Sequence, residues 1–115
     1  MKRLLFLPAL LVLGSQAWAA GDAGRGLLIA KARCLPCHHL DRTGIRIGPG
    51  LKGIYQRKPR ISGVPFARWD EAALDAWLSG PRLIKPNTKM ILPPLRARDR
   101  EDLIAYFRDQ QRKGG

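Results

Sequence analysis

The chain has 115 residues, with 21 lysines and arginines against nine aspartates and glutamates, and a formal net charge of +12. This length suits one domain; its only cysteines and histidines are Cys34, Cys37, His38 and His39, which excludes a closed four-ligand zinc site because adjacent imidazoles do not readily face one ion. The charge would suit nucleic acid, but no DNA- or RNA-binding motif accompanies it, so acidic protein partners are the expected reason for the basic surface.

The N-terminus reads as an export signal. Lys2 and Arg3 precede an apolar run from Leu4 to Leu13, and Ala17-Trp18-Ala19 supplies the small-residue cleavage pattern. The run is short for a bilayer span; an uncleaved N-terminal anchor is the alternative. Residues 1–20 are expected to be a secretory signal peptide. Residues 21–115 are then one mature domain, monomeric in the periplasm and without stable membrane insertion. Removing Lys2 and Arg3 lowers the net charge from +12 to +10.

The first helix is predicted from Asp22 to Arg33, with Asp22 as N-cap and Ala23, Leu27, Ala30 and Cys34 along one stripe. Gly26 and Ala30 leave room for another helix to approach. The helix runs into Cys34-Leu35-Pro36-Cys37-His38. Cysteines at i and i+3 and a histidine at i+4 share one side of a helical turn. Two thiols can then bond a porphyrin's vinyl groups while the imidazole reaches its iron, and this spacing is a c-type haem attachment pattern. A thioredoxin-like redox motif would need a preceding strand and a βαβ pattern, whereas here a helical pattern precedes it. His38 is the proximal ligand in this reading. His39 lies about 100° further round the helix and points away.

Leu40 to Val64 is rich in glycine and proline and reads as loop, with one short helical turn near Leu51 to Gln56. A second helix is predicted from Asp70 to Ser79, with Leu74, Trp77 and Leu78 as its inner face and Gly80-Pro81 as its stop. Arg82 to Arg98, with Pro86, Pro93 and Pro94, reads as loop. It holds Met90, the only methionine after residue 1. A lone methionine is as readily core filler as ligand, and spacing leaves both open. The last helix is predicted to start near Asp99, with Glu101 and Asp102 in its first turn. Leu103, Tyr106 and Phe107 form its buried stripe, and Arg108, Arg112 and Lys113 suit its C-terminal end. Three helices and long loops of this size bury only roughly 60–65% of their unfolded surface. A porphyrin is expected to complete the core, and the apo chain to be largely unfolded.

Together these features resemble the class I c-type cytochromes, of the mitochondrial cytochrome c and bacterial cytochrome c2 type. The resemblance runs from Gly21 to Arg108. It rests on Gly21-Asp22, the Cys34-to-His38 motif, Gly48-Pro49-x-Leu51-x-Gly53, Arg57-Lys58, Trp69, Leu78, Pro81, Pro86-x-Thr88-Lys89-Met90 and Asp102-Leu103-Ile104-Ala105-Tyr106. It implies an all-α fold of three main helices and long loops wrapped around one haem c, bonded to Cys34 and Cys37, with His38 and Met90 as axial ligands of the iron. It also implies that the Pro49 carbonyl accepts the proximal imidazole N–H, and that Arg57, Trp69 and Thr88 meet the haem propionates. Gly26 and Tyr106 would join the first and last helices. Arg33, Arg82 and Lys89 would belong to a basic ring around an exposed haem edge.

Four positions depart from the family pattern. Asn87 stands where glycine is usual and would tolerate a left-handed conformation. Trp77 replaces the aromatic, commonly tyrosine, beside the methionine sulfur. Ala30 replaces an aromatic, which thins the packing of the first helix. The segment from Phe66 to Trp69 is short, which would expose the propionate side.

The expected function is that of a periplasmic electron carrier, not an enzyme. It would shuttle single electrons between acidic redox partners such as a respiratory oxidase, a reaction centre or a dehydrogenase, at a positive potential. One alternative is a haem subunit held in a larger oxidoreductase, with Ile91-Leu92-Pro93-Pro94-Leu95 as a docking patch. The other is a sensor or peroxidase-like protein with a labile distal ligand, against which the position of His39 argues.

Overall fold

Two aspartates start the first two helices in the computed structural model, which describes residues 2–10 and 21–114. Asp22 stands extended before α1 (Ala23–Arg33), and its carboxylate accepts the Arg25 backbone N–H at 3.0 Å. Asp70 does the same for α2 (Glu71–Ser79), accepting from the Ala73 N–H at 2.8 Å. Each cap satisfies an amide that the helix itself leaves unpaired. Ala73, Leu74, Trp77 and Leu78 form the buried face of α2, which contains the stripe expected from the sequence.

The segment after α2 differs from the predicted loop. Gly80 ends α2, and Pro81 begins a one-turn helix α3 (Pro81–Ile84), so Arg82 is helical. Proline at the first helical position needs no amide partner and already has the required φ. The last helix, α4 (Ala97–Arg112), begins two residues earlier than predicted, after an extended Arg96 that provides no side-chain cap. Asp99 is therefore the acid of the first turn, with Glu101 and Asp102 further along. Its predicted stripe, Leu103, Tyr106 and Phe107, is buried.

Leu51 to Gln56 is also corrected: it forms turns and no helix. Gln56 has φ 68°, a left-handed conformation that breaks any helical run there. Asn87 needs no such conformation, because Gln56 is the one non-glycine residue with positive φ among the described residues. The turn around Asn87 closes by the Thr88 N–H donating to the Lys85 carbonyl at 3.0 Å, with Pro86 at its first central position.

α1 packs on α4, and α2 packs on both α3 and α4. Gly26 makes the first contact possible, since a Cβ there would overlap the Asp102 carbonyl and approach Tyr106 Cβ to 2.8 Å. Ion pairs brace the same contacts: Arg25 meets Asp99 and Asp102, each at 2.6 Å, Arg100 meets Asp75 at 2.8 Å, and Arg108 meets Glu71. Ala30 and Leu103 are fully buried in the core. Burying a side chain such as Leu103 contributes roughly 2 kcal/mol. Around this centre the loops and α3 supply half-buried apolar residues, among them Leu40, Leu51, Ile54, Val64, Ile84 and Leu92.

Residues 2–10 form neither helix nor strand, and Leu4, Leu5, Phe6, Leu7 and Leu10 are exposed. The expected cleavage pattern at residues 17–19 lies outside the described residues. Among the described residues no helix is long and apolar enough to cross a membrane.

Candidate haem-binding site

The attachment motif follows α1 directly. Cys34 caps the helix, its N–H donating to the Ala30 carbonyl at 2.8 Å, and the His38 N–H closes the next turn on the Cys34 carbonyl at 2.8 Å. Both cysteines are free thiols. Burial pushes the Cys34 thiol up to about 11, with a smaller contribution from Cys37, so it is a neutral S–H at physiological pH.

His38 is oriented from the far side of the Gly-rich loop. Its Nδ1 lies 2.6 Å from the Pro49 carbonyl. A carbonyl oxygen only accepts, so Nδ1 carries the proton and Nε2 keeps a lone pair for a metal. Gly48 makes this approach possible, since a Cβ there would overlap the imidazole. The loop is anchored by the Ile47 and Gly48 N–H groups, which both donate to the Cys37 carbonyl at 3.1 and 2.8 Å. Arg46 adds a bond from Nη1 to the Leu35 carbonyl at 2.9 Å, inside the motif. Nothing in the sequence singled out Arg46, because it is one of many cations in a stretch without periodicity.

Met90 comes from the loop between α3 and α4. The Trp77 indole N–H donates to its Sδ at 3.3 Å, so the aromatic stands beside the sulfur as the resemblance implied. Met90 N–H donates to the Thr88 hydroxyl at 3.2 Å, and Thr88 is buried. That leaves the hydroxyl hydrogen of Thr88 free to donate elsewhere. Trp69 is buried, with ring centroids 5.6 Å from both Phe66 and Trp77. The short segment from Phe66 to Trp69 thus leaves Trp69 covered.

Arg57 supplies the most specific sign of a missing partner. Its Nη2 donates to the Lys52 carbonyl at 3.0 Å and to the Gly50 carbonyl at 3.2 Å. Its Nε is buried and has no hydrogen-bond partner among the described residues. Burial and the nearby Arg60 both push the Arg57 pKa down. A buried donor without an acceptor costs about 1–3 kcal/mol, and a carboxylate is the group that would relieve both the donor and the charge. The arrangement fits a haem on three counts: two thiols and an imidazole at attachment spacing, a half-buried thioether held by an indole N–H, and a buried guanidinium N–H that lacks an acceptor among the described residues.

Arg33, Arg82 and Lys89 are all exposed, as expected for a basic rim. His39 is half-buried, and its carbonyl accepts the Leu51 N–H at 2.8 Å. The apolar stretch after Met90 divides: Leu95 is buried and Leu92 half-buried, while Ile91 is 78% exposed.

The family profile described as Cytochrome c matches residues 22–111 of the chain. The chain is 35% identical over 102 residues to the cytochrome c of Gibberella zeae, covering 79% of this chain and 96% of that protein. It is 32% identical over 103 residues to the cytochrome c of Theileria parva, covering 81% and 90%. Against cytochrome c 2.1 of Caenorhabditis elegans it is 34% identical over 104 residues, covering 82% and 94%.

Proposed function

The chain belongs to the cytochrome c family, and from that premise we propose that it is a periplasmic carrier whose single haem is ligated by His38 and Met90. Membership makes it a class I c-type cytochrome and an electron carrier with a covalent haem c.

Haem supplies the one-electron couple between ferric and ferrous iron. Around it, Cys34 and Cys37 would hold the porphyrin through thioethers and so place it against α1. His38 would ligate from one side through Nε2, with the Pro49 carbonyl fixing its ring and making the imidazole a stronger donor. Met90 would ligate from the other side; a soft thioether favours ferrous iron and therefore a positive potential. Arg57, with Thr88 and Trp69, would hold the propionates. Arg33, Arg82 and Lys89 would draw acidic partners, raising encounter rates by roughly 10 to 10³ at low salt. The apolar run from Leu4 supports export, and the periplasm is the compartment proposed.

The observation that carries this reading is the Trp77 bond to Met90 Sδ at 3.3 Å. It holds the Met90 sulfur beside the buried Trp77 ring, which supports its use as a ligand. The test is an absorption spectrum of the exported protein in both oxidation states, with carbon monoxide added to the reduced form, beside the Met90→Ala variant. The wild type is expected to be low-spin, to show the weak far-red ferric band of methionine ligation and to ignore carbon monoxide. Met90→Ala should keep its haem, lose that band, bind carbon monoxide and have a lower potential. A wild type that is high-spin, or a variant with wild-type spectrum and potential, would remove Met90 from the iron.

A further inference from the structure

Lys85 stands where α3, the Met90 loop and a distant turn meet. Its backbone N–H donates to the Pro81 carbonyl at 2.9 Å and closes α3, and its own carbonyl accepts the Thr88 N–H at 3.0 Å. The first bond ends the helix, and the second starts the turn that leads to Met90. The half-buried side chain reaches a residue 23 positions away, where its ammonium donates to the Ser62 carbonyl at 2.8 Å. Lys85 forms no ion pair among the described residues, so no carboxylate there draws the ammonium elsewhere.

The turn it reaches is shaped to receive it. Gly63 has φ 78°, a left-handed conformation that glycine adopts without strain. A Cβ at Gly63 would lie 3.3 Å from Lys85 Nζ, tighter than ordinary contact, so the missing side chain leaves the ammonium its place. Ile61 and Val64, on either side, pack against the core and hold the turn that offers the carbonyl. The Met90 loop has less packing of its own. Met90 is half-buried, while its neighbours Lys89 and Ile91 are exposed, Ile91 by 78%. It is held through Trp77 and Thr88, and Thr88 is tied in turn to Lys85.

We propose that Lys85 is a positioning residue for the distal ligand: by tying the start of the Met90 loop to the Ser62 turn, its ammonium keeps that loop closed and Met90 on the iron. The proposal rests on Met90 ligation and deepens it, because an electron carrier works best when one ligand serves both oxidation states. Lys85 need not touch the iron or the sulfur; its route to them runs through Thr88 and the loop backbone. A bond made only in the closed loop raises the closed population by the Boltzmann factor of its free energy. A ligand from solution binds only the open state, so its apparent affinity is proportional to the open fraction. A hydrogen bond from an ammonium is of the stronger, charge-assisted kind, and half-burial shields it from part of the solvent.

The test is an imidazole titration of the ferric, haem-loaded protein at mildly acidic pH, followed by loss of the far-red band of methionine ligation. Lys85→Leu keeps an apolar stem and removes the ammonium. It is expected to bind imidazole roughly fivefold more tightly than the wild type, while its ferric spectrum without imidazole still shows the band. Lys85→Arg restores a cationic donor and should return the affinity to within about twofold of the wild type. Denaturant titrations of the same proteins separate this role from general bracing. A residue that only braced the fold would lower the unfolding midpoint and leave imidazole affinity unchanged, and that result would overturn the proposal. So would a Lys85→Arg protein as open to imidazole as Lys85→Leu. A wild type without the methionine band would overturn the ligand reading and this proposal with it, whereas a wild type that has the band beside an unchanged Lys85→Leu overturns the proposal alone.

Discussion

Gly26 on α1 presses against the backbone carbonyl of Asp102 on α4, with Tyr106 Cβ 2.8 Å from where a Gly26 Cβ would stand. The opposing atom is backbone, so it cannot rotate aside as a side chain would. This contact sets the separation of the two helices, and with it the position of Cys34 at the end of α1. Gly26→Ala is expected to destabilise the holoprotein by about 3 kcal/mol. Gly24→Ala on the same helix would meet only the Asp22 carboxylate at 3.3 Å, and should change stability by less than about 1 kcal/mol. Denaturant titrations of both variants, compared at their midpoints, measure the difference.

The same helix pair gives acid sensitivity. Burial alone would raise the Asp102 carboxyl, but hydrogen bonds from the Arg25 guanidinium and the Asp22 N–H hold it below its ordinary value of 3.8. The Arg25 hydrogen bond, helped by its charge, lowers Asp99 as well. A carboxyl with a depressed folded pKa stabilises fully above its unfolded value, and that contribution is lost as pH falls through the folded value. The α1–α4 contact should therefore weaken below about pH 4. Asp102→Asn should shrink this dependence and lower the thermal midpoint at neutral pH on the order of 5 °C, as followed by circular dichroism across pH.

Trp77 should tune the couple through Met90. An indole N–H only donates, so it withdraws density from the sulfur and weakens its hold on ferric iron more than on ferrous. Trp77→Phe keeps an aromatic ring and removes the donor. The potential is expected to fall. A hydrogen bond of about 1 kcal/mol, acting on one oxidation state alone, corresponds to about 40 mV in a one-electron couple. A redox titration checks the sign. An unchanged or raised potential would mean that the bond does not act on the ligand.

Arg57 predicts a pH effect. A propionate facing its buried Nε would stay ionised, and Arg57→Leu would raise that propionate's pKa towards neutrality. Ferric iron carries one more positive charge, so the propionate pKa would be lower in the oxidised protein. Between the two values reduction takes up a proton, and the potential falls as pH rises, by at most about 59 mV per pH unit. The wild type should be flat over the same window. Potentiometry of both proteins between mildly acidic and mildly alkaline pH would show the contrast, and a flat Arg57→Leu profile would place the propionates elsewhere.

Much of the fold could be read where the controlling residues are neighbours in the chain. Asp22 and Asp70 announced their helices because an aspartate's carboxylate reaches an amide three positions on, a local geometry. The start of α4 carries no such local signal, because Arg96 offers no side-chain cap, and the helix begins at Ala97 where it packs against α1 and α2. α3 is hidden in the sequence because Gly80-Pro81 is at once a stop signal and a start signal. The left-handed Gln56 was hidden because glutamine has no preference that marks that conformation.

By itself the sequence determined the attachment chemistry, since Cys34, Cys37 and His38 lie within one turn of chain and need no distant contact to share a side. It also offered one thioether after residue 1, Met90, as the candidate for a second iron ligand. The tertiary structure alone decided which nitrogen of His38 is free, which donor holds the Met90 sulfur and which carboxylates clamp α1. Those depend on pairs 11, 13 and 77 residues apart in the chain. Such pairs meet only after loops without periodicity have taken one path, and the path is selected by the packing of the whole core rather than by any local propensity.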